Sequence, residues 1–473
     1  MFRNVGAAAA MVALVFSLCG TPAGAQSSPP SLLVVGGTPA GVAAAVAAAR
    51  DGVDTTLVAK GSDLGGILTD AMMDQWDLNV APDGDTIQGG IFREIHAALG
   101  DAFTPQAAAA EFGALVAHEP RIRLITDARV VGVITSPDGN ERSIDAVRFR
   151  SSDGRLFEIP AARVIDATDD GDVAALAGAR YDLGRQDTGI DERTQAVTLM
   201  FTVRGVDWQR VLETYDPARF GPGGALDRRA WGYSTLLAAY RSHEPGVLVR
   251  DLNLGREPDG EVTINAIDVL GINGLVDEQR QRARTLSEAE TPHLLAFLRA
   301  RLPGFADVTM GRFAADVYVR ETRHFAGRER LTADAVWDGT IPNDTIGLSS
   351  YPLDLHPVTA IDAQAYAPVR HVYGVPFGTM VPLGITNVLL ASPSISATHV
   401  AAGSARVIPT TIEEGEAAGD AAALAAHDGS TFAAMAGDAE AIADLRATLR
   451  GDGVILSYGS PSTLAMQTDR HSA

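Results

Sequence analysis

Two arginines and two histidines of this 473-residue chain stand where side chains can hold an anion or move a proton. If residues 317–324 are extended, a period of two puts Arg320, Thr322 and His324 on one face and Val319, Glu321 and Arg323 on the other. One face is then functional or interfacial, with Arg320 and Arg323 as catalytic candidates. A Glu321–Arg323 ion pair is the structural alternative. His356, in Asp354-Leu355-His356-Pro357, is either a general base or a loop histidine with its hydrogen bonds satisfied. His399 is the stronger candidate base, because an imidazole there can take a hydroxyl proton while the same carbon gives up a hydride. Its structural alternative is a hydrogen bond that fixes the loop.

The N-terminal third of the chain offers a place for a ligand on which such groups could act. Leu32-Leu33-Val34-Val35 is an all-apolar strand running into Gly36-Gly37-Thr38-Pro39-Ala40-Gly41 and an alanine-rich helix. Gly36 lets the chain turn out of the strand and Gly41 lets the helix pack closely, so the first helical N–H groups face a dinucleotide pyrophosphate. Thr38 stands in the place of the usual middle glycine. The strand Thr55-Thr56-Leu57-Val58 follows at the expected distance, then a second glycine pair in Asp63-Leu64-Gly65-Gly66-Ile67-Leu68, where backbone can approach a ligand closely. Gln75-Trp76-Asp77-Leu78-Asn79 adds polar and aromatic groups after it, with packing as the plain reading of Trp76.

The intervening pattern predicts helices over 91–99 and 107–117, then short strands over 121–125, 129–134, 144–150 and 155–159. Asp138-Gly139 and Asp153-Gly154 mark hairpin turns. An antiparallel meander then leads back to a buried strand over 163–167. A second lobe follows, with strands over 197–204 and 262–266 and helices over 231–241 and 287–301. Residues 387–392 read as a strand rejoining the first lobe, and a helix begins at Pro409.

Val164-Ile165-Asp166-Ala167-Thr168-Asp169-Asp170-Gly171-Asp172, followed by Ala174-Ala175-Leu176-Ala177-Gly178-Ala179, resembles the FAD-dependent oxidoreductase family. Further matching stretches are Val319 to His324, Ser350 to Pro357 and Ser396 to Thr410. The resemblance covers most of the chain after the leader. It implies an α/β fold: an FAD/NAD(P)-binding Rossmann-like domain of the glutathione-reductase-like type with a β-meander, plus an inserted α+β substrate domain. It implies FAD as cofactor, with Ala167, Thr168 and Asp172 beside it, Val130 offering backbone groups to the adenine, and residues 404–411, including Ser404, Arg406 and Ile408, at the flavin. A helix N-terminus there favours negative charge at the flavin's pyrimidine edge. Three positions depart from the family pattern. Asp169 replaces a glycine, Ser392 and Pro393 replace glycine and arginine, and Ala59-Lys60 replaces the acid that meets the adenosine ribose. Lys60 is left to meet a phosphate or the ribose edge.

The remaining expectations concern setting. Arg3, an apolar run over 7–18 and Ala23-Gly24-Ala25 read as an export signal cleaved near Ala25, giving a secreted or periplasmic protein. The run is too short for a membrane anchor. The single cysteine, Cys19, would leave with the leader, which excludes thiol chemistry and cysteine-ligated metal. No metal site is expected. A net charge of −21, with basic residues scattered, argues against nucleic acid as a partner. The expected layout is a signal over 1–25, FAD-binding parts over 31–186 and 369–430, a substrate domain over 187–368, and a C-terminal helical segment and tail over 431–473. The function expected is hydride transfer from a small organic, hydroxylated substrate to FAD, with a quinone, cytochrome or oxygen as electron acceptor. A fumarate-reductase-like enzyme and a non-catalytic flavin-binding protein are the alternatives.

Overall fold

The structure, a computed structural model, describes residues 32–459; the leader, its cleavage site, Cys19 and the last residues of the tail lie outside the described residues. Its central element is a five-stranded parallel sheet. The strands are β1 (Leu32–Val35), β2 (Thr55–Val58) and β3 (Ile122–Ile125) on one side, and β7 (Val164–Asp166) and Val388–Leu390 on the other. The sheet's inner strands are wholly buried and β-branched or leucine-rich, as a parallel sheet covered on both faces requires. β1 lies between β2 and β7, so the chain reverses its direction of travel across the sheet at the end of β1. That is where an open α/β sheet forms its crevice.

The meander is three-stranded: β4 (Ala128–Asp138), β5 (Glu141–Ser151) and β6 (Leu156–Pro160). The expected first strand of that set is instead β3, which pairs in parallel with β2. Two further expectations need correcting. Residues 197–204 form two strands, because the chain crosses between sheets at Leu199-Met200. Val197–Thr198 pairs with Asp268–Val269, and Phe201–Arg204 joins the second lobe's six-stranded antiparallel sheet. The helix expected over 231–241 shrinks to Ser234–Leu237, because Arg229–Gly232 is hydrogen-bonded as a strand to Leu252–Arg256 and Tyr233 has φ 68°. The helix over 287–301 is longer than expected, Asp277–Arg301.

Helix α1 (Pro39–Arg50) packs along the helix Ile408–Asp428 with almost no side chain between them. A Cβ on Gly415 would lie 2.1 Å from the Ala40 carbonyl oxygen, and one on Gly419 would lie 2.4 Å from that of Ala44. The later helix also stabilises α2 (Gly90–Leu99), which has no side-chain cap of its own. Glu413 accepts from Gly89 N–H at 3.0 Å and Glu416 from Ile91 N–H at 2.8 Å. Burial pushes the Glu416 carboxyl up to about 7. No described helix is long and apolar enough to cross a membrane.

This packing predicts that Gly415→Ala costs roughly 1–3 kcal/mol or more. Gly113→Ala, in the helix Pro105–His118 with nothing within 4 Å of the added methyl, should instead stabilise by about 0.5–1 kcal/mol. Urea midpoints of the two variants check both signs.

Candidate active site

Gly36 leaves β1 with φ 123°, and its Cα lies so close to the end of β7 that a Cβ would fall 2.2 Å from the Ala167 carbonyl oxygen. A Cβ on Gly41 would lie 2.0 Å from Gly36 O. The turn is therefore as tight as the glycine spacing requires. Thr38 is the N-cap of α1: its Oγ1 accepts from Gly41 N–H at 3.1 Å and donates to Ala167 O at 2.9 Å. The hydroxyl thus joins the phosphate turn to β7, which a glycine in that place could not do. The remaining first-turn N–H groups have no intrahelical acceptor.

A groove open to solvent runs along the C-terminal ends of the parallel strands. Gly36, Gly37, Thr38, Lys60, Gly66, Ile67, Val130, Thr168, Asp172 and Arg323 line it. An inner cavity adjoins it, lined by Thr38, Pro39, Ala40, Ile67, Asp77, Ala167, Tyr318, Arg320, Glu321, Ser392, Arg406, Val407, Ile408 and Thr411 among others. The helix Ile408–Asp428 presents an N-terminus without a side-chain cap to this cavity. Four expected cofactor residues do not line either space: Gly41, packed against Gly36, and the three that follow. Leu68 is fully buried in the core. Gly65 ties the second glycine loop to the first through its N–H on Gly37 O at 2.8 Å. Ser404 is committed below the surface, sharing a 2.8 Å hydrogen bond with the Tyr373 hydroxyl and another with Tyr351 O. Lys60 lies at the rim, 3.8 Å from Asp316.

The loop after β7 is held by a residue the sequence reading left out. Buried Asp166 accepts from the Thr168 hydroxyl at 2.7 Å and from Ala174 N–H at 2.8 Å, and the Thr168 hydroxyl in turn accepts from Asp172 N–H. Arg323 braces the same loop, donating to Asp170 O at 2.7 Å and to Asp172 at 2.8 Å. Its expected pairing with Glu321 does not occur. Asp169, in the glycine's place, lines both spaces, and burial pushes its carboxyl up to about 7.

The alternation expected over 317–324 also fails. Only Arg323–Phe325 is a strand, and Glu321 accepts from His324, three residues on, at 2.8 Å. His399 also donates to Glu321, at 2.6 Å. Burial raises the Glu321 carboxyl, but the two imidazoles outweigh it and hold it at about 2. Glu321 reaches the cavity wall while His399 stands behind it, so His399 orients a carboxylate rather than facing the cavity. His356 is enclosed between Asp268, at 2.9 Å, and Asp354, at 3.6 Å. Burial and Arg320 pull its pKa down, the two carboxylates more than offset them, and it is pushed up to about 9. Both ring nitrogens of His356 thus face carboxylates, and it lines neither space.

Arg320 is buried, donating through Nη1 to Ala196 O at 2.9 Å and Thr198 Oγ1 at 2.8 Å. Its guanidinium carbon lies 4.5 Å from the centre of the Tyr318 ring. The Tyr318 hydroxyl accepts from Arg406 Nη1 at 2.6 Å, and Arg406 Nη2 meets Asp354 at 3.0 Å. Tyr318 was missed; period two from Arg320 puts it on the same face, which was the available signal.

Because His356 titrates higher in the fold than its ordinary 6.5, its contribution is complete below about pH 6.5 and is lost as pH rises through about 9. The urea midpoint should fall across that window, and the fall should be smaller in His356→Gln.

A sequence profile described as FAD dependent oxidoreductase matches residues 31–449. No curated protein matches the sequence. Solved structures with a similar chain course include p-nitrophenol 4-monooxygenase from Pseudomonas putida, with 12% identity, TM-score 0.45 and 93% of each chain covered. A geranylgeranyl bacteriochlorophyll reductase-like protein from Thermoplasma acidophilum has 12% identity and TM-score 0.43, over 89% of this chain and 83% of that one. The flavin-dependent brominase Bmp2 has 9% identity and TM-score 0.44, over 89% and 84%. Likeness at this level is confined to architecture.

Proposed function

The chain belongs to the FAD-dependent oxidoreductase family, and on that premise we propose that it oxidises a small hydroxylated organic substrate, passing the electrons on to a quinone, a cytochrome or oxygen. FAD, when bound, would supply the two-electron acceptor for that oxidation. The residues present fit that cofactor: Gly36 and Gly41 leave no room for a Cβ, and two helix N-termini, at Pro39 and Ile408, face one connected space. Gly36 to Ala40 would hold the pyrophosphate, Ala128 to Val130 the adenine, and Val407 and Ile408 the pyrimidine edge. The second lobe would enclose the substrate, and export after cleavage near Ala25 belongs to the same reading.

The observation that carries the proposal is the wall of the inner cavity, where Tyr318, Arg320 and Arg406 share a lining with Thr38, Pro39 and Ala40 of the phosphate turn. Oxidation of a carbinol to a carbonyl releases a hydride from carbon and a proton from oxygen. Tyr318 Oη is the atom here that relays it: the carbinol proton moves onto Oη as the tyrosine's own proton leaves to solvent water. The Arg406 hydrogen bond to Oη fixes its position. Glu321, carrying two imidazole donors, contributes a fixed negative charge.

The visible spectrum of the purified protein, with the acid-released cofactor identified by mass, tests the cofactor, and anaerobic flavin reduction by hydroxylated compounds tests the direction. Fast reoxidation of the reduced protein by an unsaturated acid, without reduction by any alcohol, would turn the reading to a reductase. Tyr318→Phe should keep its FAD and slow flavin reduction on the order of a hundredfold; His399→Asn should keep FAD and lose less.

A further inference from the structure

The charged groups beside the inner cavity form a chain of alternating sign. Arg320 lies 3.6 Å from Asp268, and Asp268 accepts from His356 Nδ1 at 2.9 Å. His356 Nε2 lies 3.6 Å from Asp354, and Asp354 accepts from Arg406 at 3.0 Å. All five residues are buried, and the chain begins and ends on a cation. Only those two ends, Arg320 and Arg406, line the cavity. Burial raises Asp268 and Asp354, but His356 and the arginines outweigh it and hold both carboxyls low, while His356 keeps its proton. Three positive charges thus face two negative ones.

Glu321, on the same wall, adds a negative charge held by His324 and His399. What is left without a partner is a set of donors rather than a net charge.

The donors left over have a definite geometry. Arg320 Nε and Nη2 and Arg406 Nε are buried and have no hydrogen-bond partner among the described residues. Nε and Nη2 form the side-on edge of a guanidinium, the pair of parallel N–H groups that matches the two oxygens of a carboxylate. Leaving such donors buried and unsatisfied is costly, and a ligand that satisfies them gains accordingly.

We propose that the substrate is a small carboxylate anion, docked bidentately on the Nε–Nη2 edge of Arg320, with Arg406 beyond Tyr318 as the second positive pole. The anion closes the five-membered chain into a ring in which every charge has neighbours of opposite sign. It also sets the carbon next to the carboxylate beside Tyr318, so the site selects a 2-hydroxy acid over a simple alcohol. This rests on the reading of the cavity as the substrate site.

L-Lactate and its uncharged counterpart L-lactamide are the probes, titrated into the FAD-loaded protein with the flavin difference spectrum and the melting temperature as separate readouts. Lactate should give a saturable spectral change and raise Tm, and lactamide should need at least tenfold more for the same response. Arg320→Lys, which keeps the buried charge but lacks the fork, should retain FAD and weaken the lactate response at least tenfold. Equal responses to acid and amide, no response to lactate, or an undiminished response in Arg320→Lys would overturn the proposal. Loss of FAD from Arg320→Lys would do the same by assigning the edge to the cofactor. A wild-type protein that takes up no FAD would defeat the functional reading instead, and the Tm comparison of acid with amide would still decide the carboxylate site.

Discussion

The backbone-to-backbone contact between α1 and the helix Ile408–Asp428 sets the rest of the arrangement. Helices pack about 8–10 Å apart when ordinary side chains intervene. Here the glycines at 415 and 419 and the alanines opposite them bring the axes as close as backbone atoms allow. Both helices start at the same cavity, so their N-terminal dipoles add where a ligand with a phosphate and an electron-rich ring would need them. The closeness also explains why Thr38 is tolerated in a turn that otherwise favours glycine. Its hydroxyl is directed at Ala167, away from the helix contact, and joins the turn to β7.

Around that contact, polar residues hold position by pairing rather than by packing. A buried ion pair gains little net stability, but removing one partner strands the other at a cost of about 3–5 kcal/mol. The chain from Arg320 through His356 to Arg406 draws together residues distant in sequence, and each link fixes the next. The same logic fixes the loop after β7, where Asp166 and Arg323 hold Thr168 and Asp172 from opposite sides. Arg323 and His356, side chains whose types suggest catalysis, are both tied to carboxylates.

The sequence made the parallel sheet, the phosphate turn and the returning strand legible, because each is written in local apolar runs and glycines. β1, β2, β7 and Val388–Leu390 all lie where the apolar runs predicted. What it could not show depends on contacts between distant segments. The pairing of Arg229–Gly232 with Leu252–Arg256 overrides a local helical pattern, and the crossing at Leu199-Met200 divides what reads as one strand. Tyr318 sat on a face already singled out, but nothing local marks it until Arg406, from far along the chain, reaches its oxygen. His399 reads as the stronger candidate base, whereas the cavity lining includes Glu321, its hydrogen-bond partner, and not His399 itself.

The cavity's two helix N-termini come from nearly opposite ends of the described chain, and this orders events in time. At roughly 5–20 residues per second, the segment that supplies Arg406, Val407 and Ile408 leaves the ribosome on the order of tens of seconds after α1. Until then the phosphate turn has one wall, and until Val388–Leu390 emerges the outer edge of β7 is unpaired. Cofactor capture is therefore a property of the finished chain, and a nascent or truncated one presents only an open half-site.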